Sequence, residues 1–180
     1  MKNLKDYLKY YWLETEYLEK EVRPFFEKNG YLEPGHFFAI IEWKNPRFGK
    51  TKLSYFKPKD IKKLFGEVHT NQHSEEKQLK ILLIKKGIKL ATASAILTIL
   101  YPTKFTVYDV RVRGELKKLG LWNEKPDDIT NKKDAVKKYL EKYLPAVKVL
   151  ARQYHLSLRN CDRALWSKSW YKDLQKFLPK

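Results

Sequence analysis

Apolar positions near the start of the chain recur three, four or seven residues apart. Leu4, Leu8, Tyr11, Leu18, Val22 and Phe25 form one stripe, the mark of an amphipathic helix. The spacing predicts a helix from Asn3 to about Phe26, ended by Pro24 and then by the Lys-Asn-Gly at 28–30. A strongly apolar segment, Glu33–Lys44, predicts a short buried helix that starts near Pro34 and stops at Pro46. From Ser74 to about Lys86 the pattern predicts a helix with Leu79, Leu82, Leu83 and Ile84 on its buried side. Gly87 turns the chain. A helix from about Leu90 to Leu100 follows, kept thin for close packing by Ala91, Ala93, Ser94 and Ala95 and closed by Pro102. After a short aromatic and β-branched stretch, Asp109 opens a helix that runs through Leu119 and stops at Gly120. Residues 131–154 carry a further helical pattern, interrupted at Pro145, and a last helix covers about Cys161 to Phe177. Strand signals are weak throughout. The expectation is an all-α protein, a single two-lobed helical domain over residues 1–180.

Charge changes the picture from architecture to partner. Lys and Arg number 38 against 21 Asp and Glu, a net charge of +17. Self-repulsion of that size destabilises a compact state and suits a polyanion. Nucleic acid is the first candidate and an anionic membrane surface the second. A merely lysine-rich surface would carry glutamate in step with lysine, which is not the case here. With 43% hydrophobic and 14% aromatic residues the chain can still build a core. The densest basic stretch runs from Trp43 to Phe65, with eight basic residues and one acidic, Asp60. Trp43, Phe48, Tyr55 and Phe56 interleave with it, and exposed rings can stack on bases. Pro46, Gly49 and Pro58 make its first part a loop.

The one cysteine, Cys161, allows no internal disulfide and no cysteine-built zinc or iron–sulfur site, which fits a reducing compartment. The first twenty residues are charged throughout and lack an apolar signal core. The longest aliphatic runs, such as Ile81–Ile84, are too short to span a bilayer. These features lead to the expectation of a cytoplasmic, non-membrane protein. His69 and His73 stand four apart, as metal ligands can on a helix, but in a polar stretch that reads as a loop entering a helix. No metal is expected.

Most of the candidate chemistry lies in "KKGIKLATASAILTILYPTKFTVYDVR", Lys85–Arg111. A tight glycine turn between two helices aims backbone N–H groups outward, and the start of the second helix carries partial positive charge. Lys85, Lys86 and Lys89 add to it. The order is hairpin, small-residue helix, proline turn, short extended stretch, then Asp at a helix start. It resembles the helix-hairpin-helix DNA glycosylase superfamily, of the endonuclease III type. "KKGIKLATASAIL" stands in the hairpin place and "VYDVRV" in the aspartate place, at the expected distance from Thr92–Ala93. "EWKNPR" and "LRNCDRALW" are similar to segments of a little-described branch of that superfamily.

The resemblance implies a hairpin at about 76–100, an Asp-bearing helix at about 109–119, and double-stranded DNA as the partner of a monomer. It implies Asp109 as the catalytic carboxylate for excision of a damaged or mispaired base. Lys86, Gly87, Lys89, Thr92, Lys44, Arg47, Arg111 and Arg113 are then the DNA-binding candidates, and Trp43, Tyr108 and Trp166 the candidate walls of a base pocket. Two positions depart from the family pattern. Ala91 occupies the place of the lysine that bifunctional members use, and alanine cannot form a Schiff base. The expected enzyme is therefore monofunctional, with water as nucleophile and no cofactor. Lys89 stands where the second hairpin glycine is usual. Both departures leave open a non-enzymatic DNA-binding module. Asp109 could also be a plain N-cap, a role compatible with facing a cleft.

Overall fold

The computed structural model describes residues 4–6, 14, 16–45, 55–124 and 132–177. Among them every regular element is helical and none is a strand, the all-α class that the pattern predicts. The chain divides into two compact units. One runs from Leu13 to Tyr101, and the other takes the described residues from Pro102 onward together with residues 4–6.

The first unit begins with a π-helical turn, Leu18–Val22, that passes directly into α1 (Arg23–Asn29); α2 (Pro34–Lys44), α3 (Pro58–Thr70), α4 (Glu75–Leu83) and α5 (Leu90–Leu100) follow. Helix α5 is the core. Leu90 and every residue from Thr92 to Leu100 are buried, and α1, α2 and α4 pack on it. Its hydroxyls bond back to its own carbonyls, Thr98 Oγ1 to Ser94 O at 2.7 Å and Ser94 Oγ to Ala91 O at 3.2 Å. That lets polar residues sit inside without an unmet donor.

The opening stripe holds only in part. Leu8 and Tyr11 lie outside the described residues. Helix continues past Pro24 to Asn29, where Gly30, at φ 73°, ends it. The reason lies in the π turn. Val22 N–H reaches back five residues to Tyr17 O at 3.2 Å, and Arg23 N–H does the same to Leu18 O. A proline in a regular helix forfeits one N–H bond, and its ring strikes the carbonyl four residues back. A turn with an extra residue relieves that clash just where Pro24 enters α1. The extra residue also moves the buried face, so that Phe26, not Phe25, continues the line of Leu18 and Val22. Two other expectations are corrected here. Helix α4 ends at Leu83, which leaves Ile84 in the turn and 64% exposed. His69 is on α3 rather than in a loop, its ring in T-shaped contact with that of Phe26, centres 5.6 Å apart, while His73 sits in the following turn.

The second unit contains α6 (Val110–Lys118), α7 (Lys132–Lys138), a π turn (Tyr139–Tyr143), α8 (Leu144–Gln153) and α9 (Leu158–Leu174). The device seen at Pro24 recurs. Leu144 N–H bonds to Tyr139 O, five back, and Pro145 is the second residue of α8, so the helix runs through Pro145 without the expected interruption. Helix α9 starts three residues earlier than its pattern suggests, because Ser157 caps it by accepting from Asn160 N at 3.2 Å. Between α8 and α9 the chain reverses through His155 at φ 50°, with Leu156 N–H returned to Ala151 O at 2.9 Å. That left-handed residue is normally glycine. His155→Gly is expected to stabilise the fold by about 0.5–1 kcal/mol, read as a higher thermal midpoint. An unchanged or lower midpoint would mean that the imidazole itself contributes at this turn.

Candidate functional site

In the first unit α4 and α5 are joined by residues 84–89. Ile88 N–H closes a turn on Lys85 O at 3.3 Å, with Gly87 third in it at φ 84°. A side chain at Gly87 would be strained in that conformation. Ile88 and Leu90 are buried and pin the turn, while Lys86 and Lys89 stand exposed. Lys86 Nζ lies 4.7 Å from the centre of the half-exposed Tyr55 ring. Lys89 is the N-cap of α5 and supplies no side-chain cap. The first N–H to turn back is that of Thr92, on Lys89 O at 2.9 Å, so the N–H groups of Leu90 and Ala91 open the helix with no acceptor inside it. Such a helix start favours an anion. Thr92 itself is buried, on the core side of α5, so its side chain is not at the surface. Lys44 and Trp43 close α2, both part-exposed. Arg47 lies outside the described residues.

In the second unit Asp109 is the N-cap of α6. Its Oδ1 accepts from Arg111 N at 2.8 Å. What precedes it is non-helical backbone, 105–109, with no strand beside it. Buried backbone polar groups must find partners, and here side chains provide them. Tyr139 Oη accepts from Thr106 N at 3.0 Å and donates to Thr106 O at 2.6 Å. Tyr143 Oη donates to Val107 O at 2.5 Å and accepts from Asp109 N at 3.5 Å. Asp162 Oδ2 accepts from Val107 N at 3.2 Å and pairs with Arg159, and both members of that pair are buried. The two tyrosines are the first and last residues of the second π turn. Burial pushes the Tyr143 phenol well above its ordinary range, and the Asp162 and Asp109 carboxylates push it further, so it keeps the proton it donates. The segment that delivers Asp109 is thus fixed from three side chains on two helices.

The aromatic candidates have separate fates. Tyr108 is buried and packs edge-on against Tyr143 at 4.9 Å and Trp122 at 6.1 Å, with the Arg113 guanidinium 4.6 Å from its ring centre. It belongs to the core that backs Asp109 rather than to an open wall. Trp166 is part-exposed on α9 and parallel to Trp170, with ring centres 6.4 Å apart. The Arg111 guanidinium lies 5.7 Å from the Trp166 ring centre, and its Nη1 is held by Asp173 Oδ2 at 2.6 Å. Lys176 and Arg111 keep the Asp173 carboxyl down at about 2. The sequence reading did not single out Tyr139, Tyr143, Arg159, Asp162, Trp170 or Asp173. A usable signal existed for Asp162, a carboxylate on the buried side of α9 beside Cys161, Ala164 and Leu165.

One turn further along α6, Glu115 is buried and accepts from Lys118 at 2.6 Å and from Lys172 at 3.1 Å, with Lys168 at 3.6 Å. Burial alone would raise this carboxyl; the hydrogen bonds and charges of Lys118 and Lys172 outweigh it and hold the pKa below its ordinary value. A carboxylate whose folded pKa lies below its unfolded one stabilises the protein above the unfolded value, about 4.3, and loses that contribution as pH falls through the folded value. Glu115→Gln should therefore cost about 2 kcal/mol at pH 7 and flatten the fall in stability below about pH 5. Urea midpoints measured from pH 3 to 8 check this. Parallel curves for the two proteins would refute it.

Among the described residues no group of three His, Cys, Asp or Glu side chains is placed to hold a metal ion, and no helix is long and apolar enough to cross a membrane. No protein-family model, curated protein or solved structure matches the chain.

Proposed function

We propose that the protein binds DNA and excises a damaged or mispaired base as a monofunctional glycosylase, with Asp109 as the catalytic carboxylate. The observation that carries this reading is the anchoring of 105–109. An N-cap needs one side-chain oxygen at a helix start, whereas here two tyrosine hydroxyls and a buried ion pair fix the backbone that leads to the cap. Rigid support of this kind is what a carboxylate needs to stabilise positive charge developing on a sugar and to position water. The net charge of +17 supplies the general attraction to DNA. Phosphate binding at the hairpin would use the N–H groups of Leu90 and Ala91 with Lys86 and Lys89.

Ala91 leaves no amine at that place to attack the sugar, so the product is an intact strand with an abasic site. The test uses labelled duplexes that carry uracil, hypoxanthine, 8-oxoguanine, an alkylated purine or a G·T mismatch, each with and without hot alkali. Strand breaks that need alkali support the reading. Breaks without alkali would overturn the assignment of a lyase-free mechanism.

A second reading, a DNA-binding module without catalysis, has its own observation in Lys89, which puts a long exposed side chain at the start of α5. It is the reading favoured by tight, salt-sensitive binding with no product on any duplex.

A further inference from the structure

Trp166 and Trp170 on α9 are part-exposed, and Arg111 connects this face of α9 to Asp109. Arg111 N–H is bonded to Asp109 Oδ1, and the guanidinium of the same residue lies 5.7 Å from the Trp166 ring centre. Trp166 and Trp170, one turn apart, are within 11° of parallel, with ring centres 6.4 Å apart. Asp173, on the next turn, takes one guanidinium nitrogen of Arg111 and tethers the group to α9. The guanidinium makes no other hydrogen bond among the described residues, so Nε and Nη2 remain as a pair of donors on its other side.

We propose that Trp166 and Trp170 form a shelf on which an unstacked nucleobase lies, and that Arg111 reads its oxygen-bearing edge, so that the site takes a 6-oxopurine such as hypoxanthine or a guanine derivative. This rests on the reading of Asp109 as the carboxylate of a base-excising site. Indole faces stack on any base and give affinity without choice. Choice comes from the guanidinium. Two parallel N–H donors match the O6 and N7 acceptors of a 6-oxopurine, whereas adenine presents an amino donor where O6 would be. Asp173 is the positioning residue: it acts on the base only through Arg111.

The test is binding, which needs no cleavage. Single strands of thymine with one central hypoxanthine, guanine or adenine are titrated with the full-length protein and followed by fluorescence anisotropy. Hypoxanthine and guanine strands should bind about tenfold more tightly than the adenine strand. Arg111→Lys keeps the charge but lacks the fork, so the preference for hypoxanthine and guanine over adenine should shrink to within about twofold. Trp170→Ala should weaken all three strands by about tenfold, and Trp170→Phe should restore most of that. Equal affinity for hypoxanthine and adenine in the wild type, or a preference that survives Arg111→Lys, overturns the proposal. So does unchanged binding in Trp170→Ala. Failure of the Asp109 reading would appear instead as absent excision with the base preference intact.

Discussion

Asp109→Asn is expected to bind DNA as tightly as the wild type and to excise about a thousandfold more slowly or not at all. The two halves of that result come from different properties of one side chain. As N-cap of α6, Asp109 contributes one oxygen, which accepts from Arg111 N at 2.8 Å. Asparagine has the same oxygen in the same place and caps as well as aspartate. The helix start, the Tyr143 contact to the backbone N–H of residue 109, and the fold around them should persist, with a thermal midpoint close to that of the wild type. The full negative charge is what disappears. A neutral amide cannot balance the positive charge that builds on the sugar as the glycosidic bond lengthens, and it cannot take a proton from water. The alkali-dependent cleavage assay reads the loss, and gel shift on the same duplexes reads the binding. Full excision by Asp109→Asn would reduce the residue to its capping role.

The largest effect on stability is expected at Asp162. Its Oδ2 holds Val107 N at 3.2 Å and neutralises Arg159, and neither residue is more than 5% exposed. Asp162→Asn keeps the shape and removes the carboxylate charge that faces a buried guanidinium, at a cost of about 3–5 kcal/mol. Urea unfolding would show a lower midpoint with a similar slope. The double variant Asp162→Leu, Arg159→Met should recover much of the loss, since apolar groups of similar volume can replace a buried pair without leaving a charge behind. Excision by the double variant should still be weak, because Val107 N–H has lost its acceptor and the path to Asp109 is no longer held. A midpoint for Asp162→Asn within about 0.5 kcal/mol of the wild type would mean that the pair is not the anchor described.

Much of the fold was legible because it follows from local rules. The apolar run of α2, the pattern of α4 from Ser74, the small residues of α5, and the start at Asp109 and stop at Gly120 that bound α6 each depend on residues close in sequence. The failures share a cause as well. Pro24 and Pro145 read as breaks because a helix is assumed to keep 3.6 residues per turn, and an added residue ahead of each proline cancels the break. Asp109 stood out by itself, as a carboxylate at a helix start in a basic chain. Its support did not, because Tyr139, Tyr143 and Asp162 are 33, 36 and 55 residues from their partners and look like ordinary members of amphipathic helices. Tyr108 misled for the opposite reason. An aromatic next to a candidate catalytic residue suggests a pocket wall, yet the rings of Trp122, Tyr139 and Tyr143 and the Arg113 guanidinium pack on it.

The paired π turns bear on how this chain can change over time. Each is one residue of surplus length absorbed within a single turn, and each is followed by a proline that a regular helix would reject. Deleting one residue from 139–143 would restore an ordinary helix and at once set Pro145 against it; mutating Pro145 alone would leave the surplus without its occupant. Length and proline are therefore expected to be gained or lost together in descendants of this chain. Alignment gaps between this chain and a relative should fall in these two turns rather than in the loops, where gaps are usually placed.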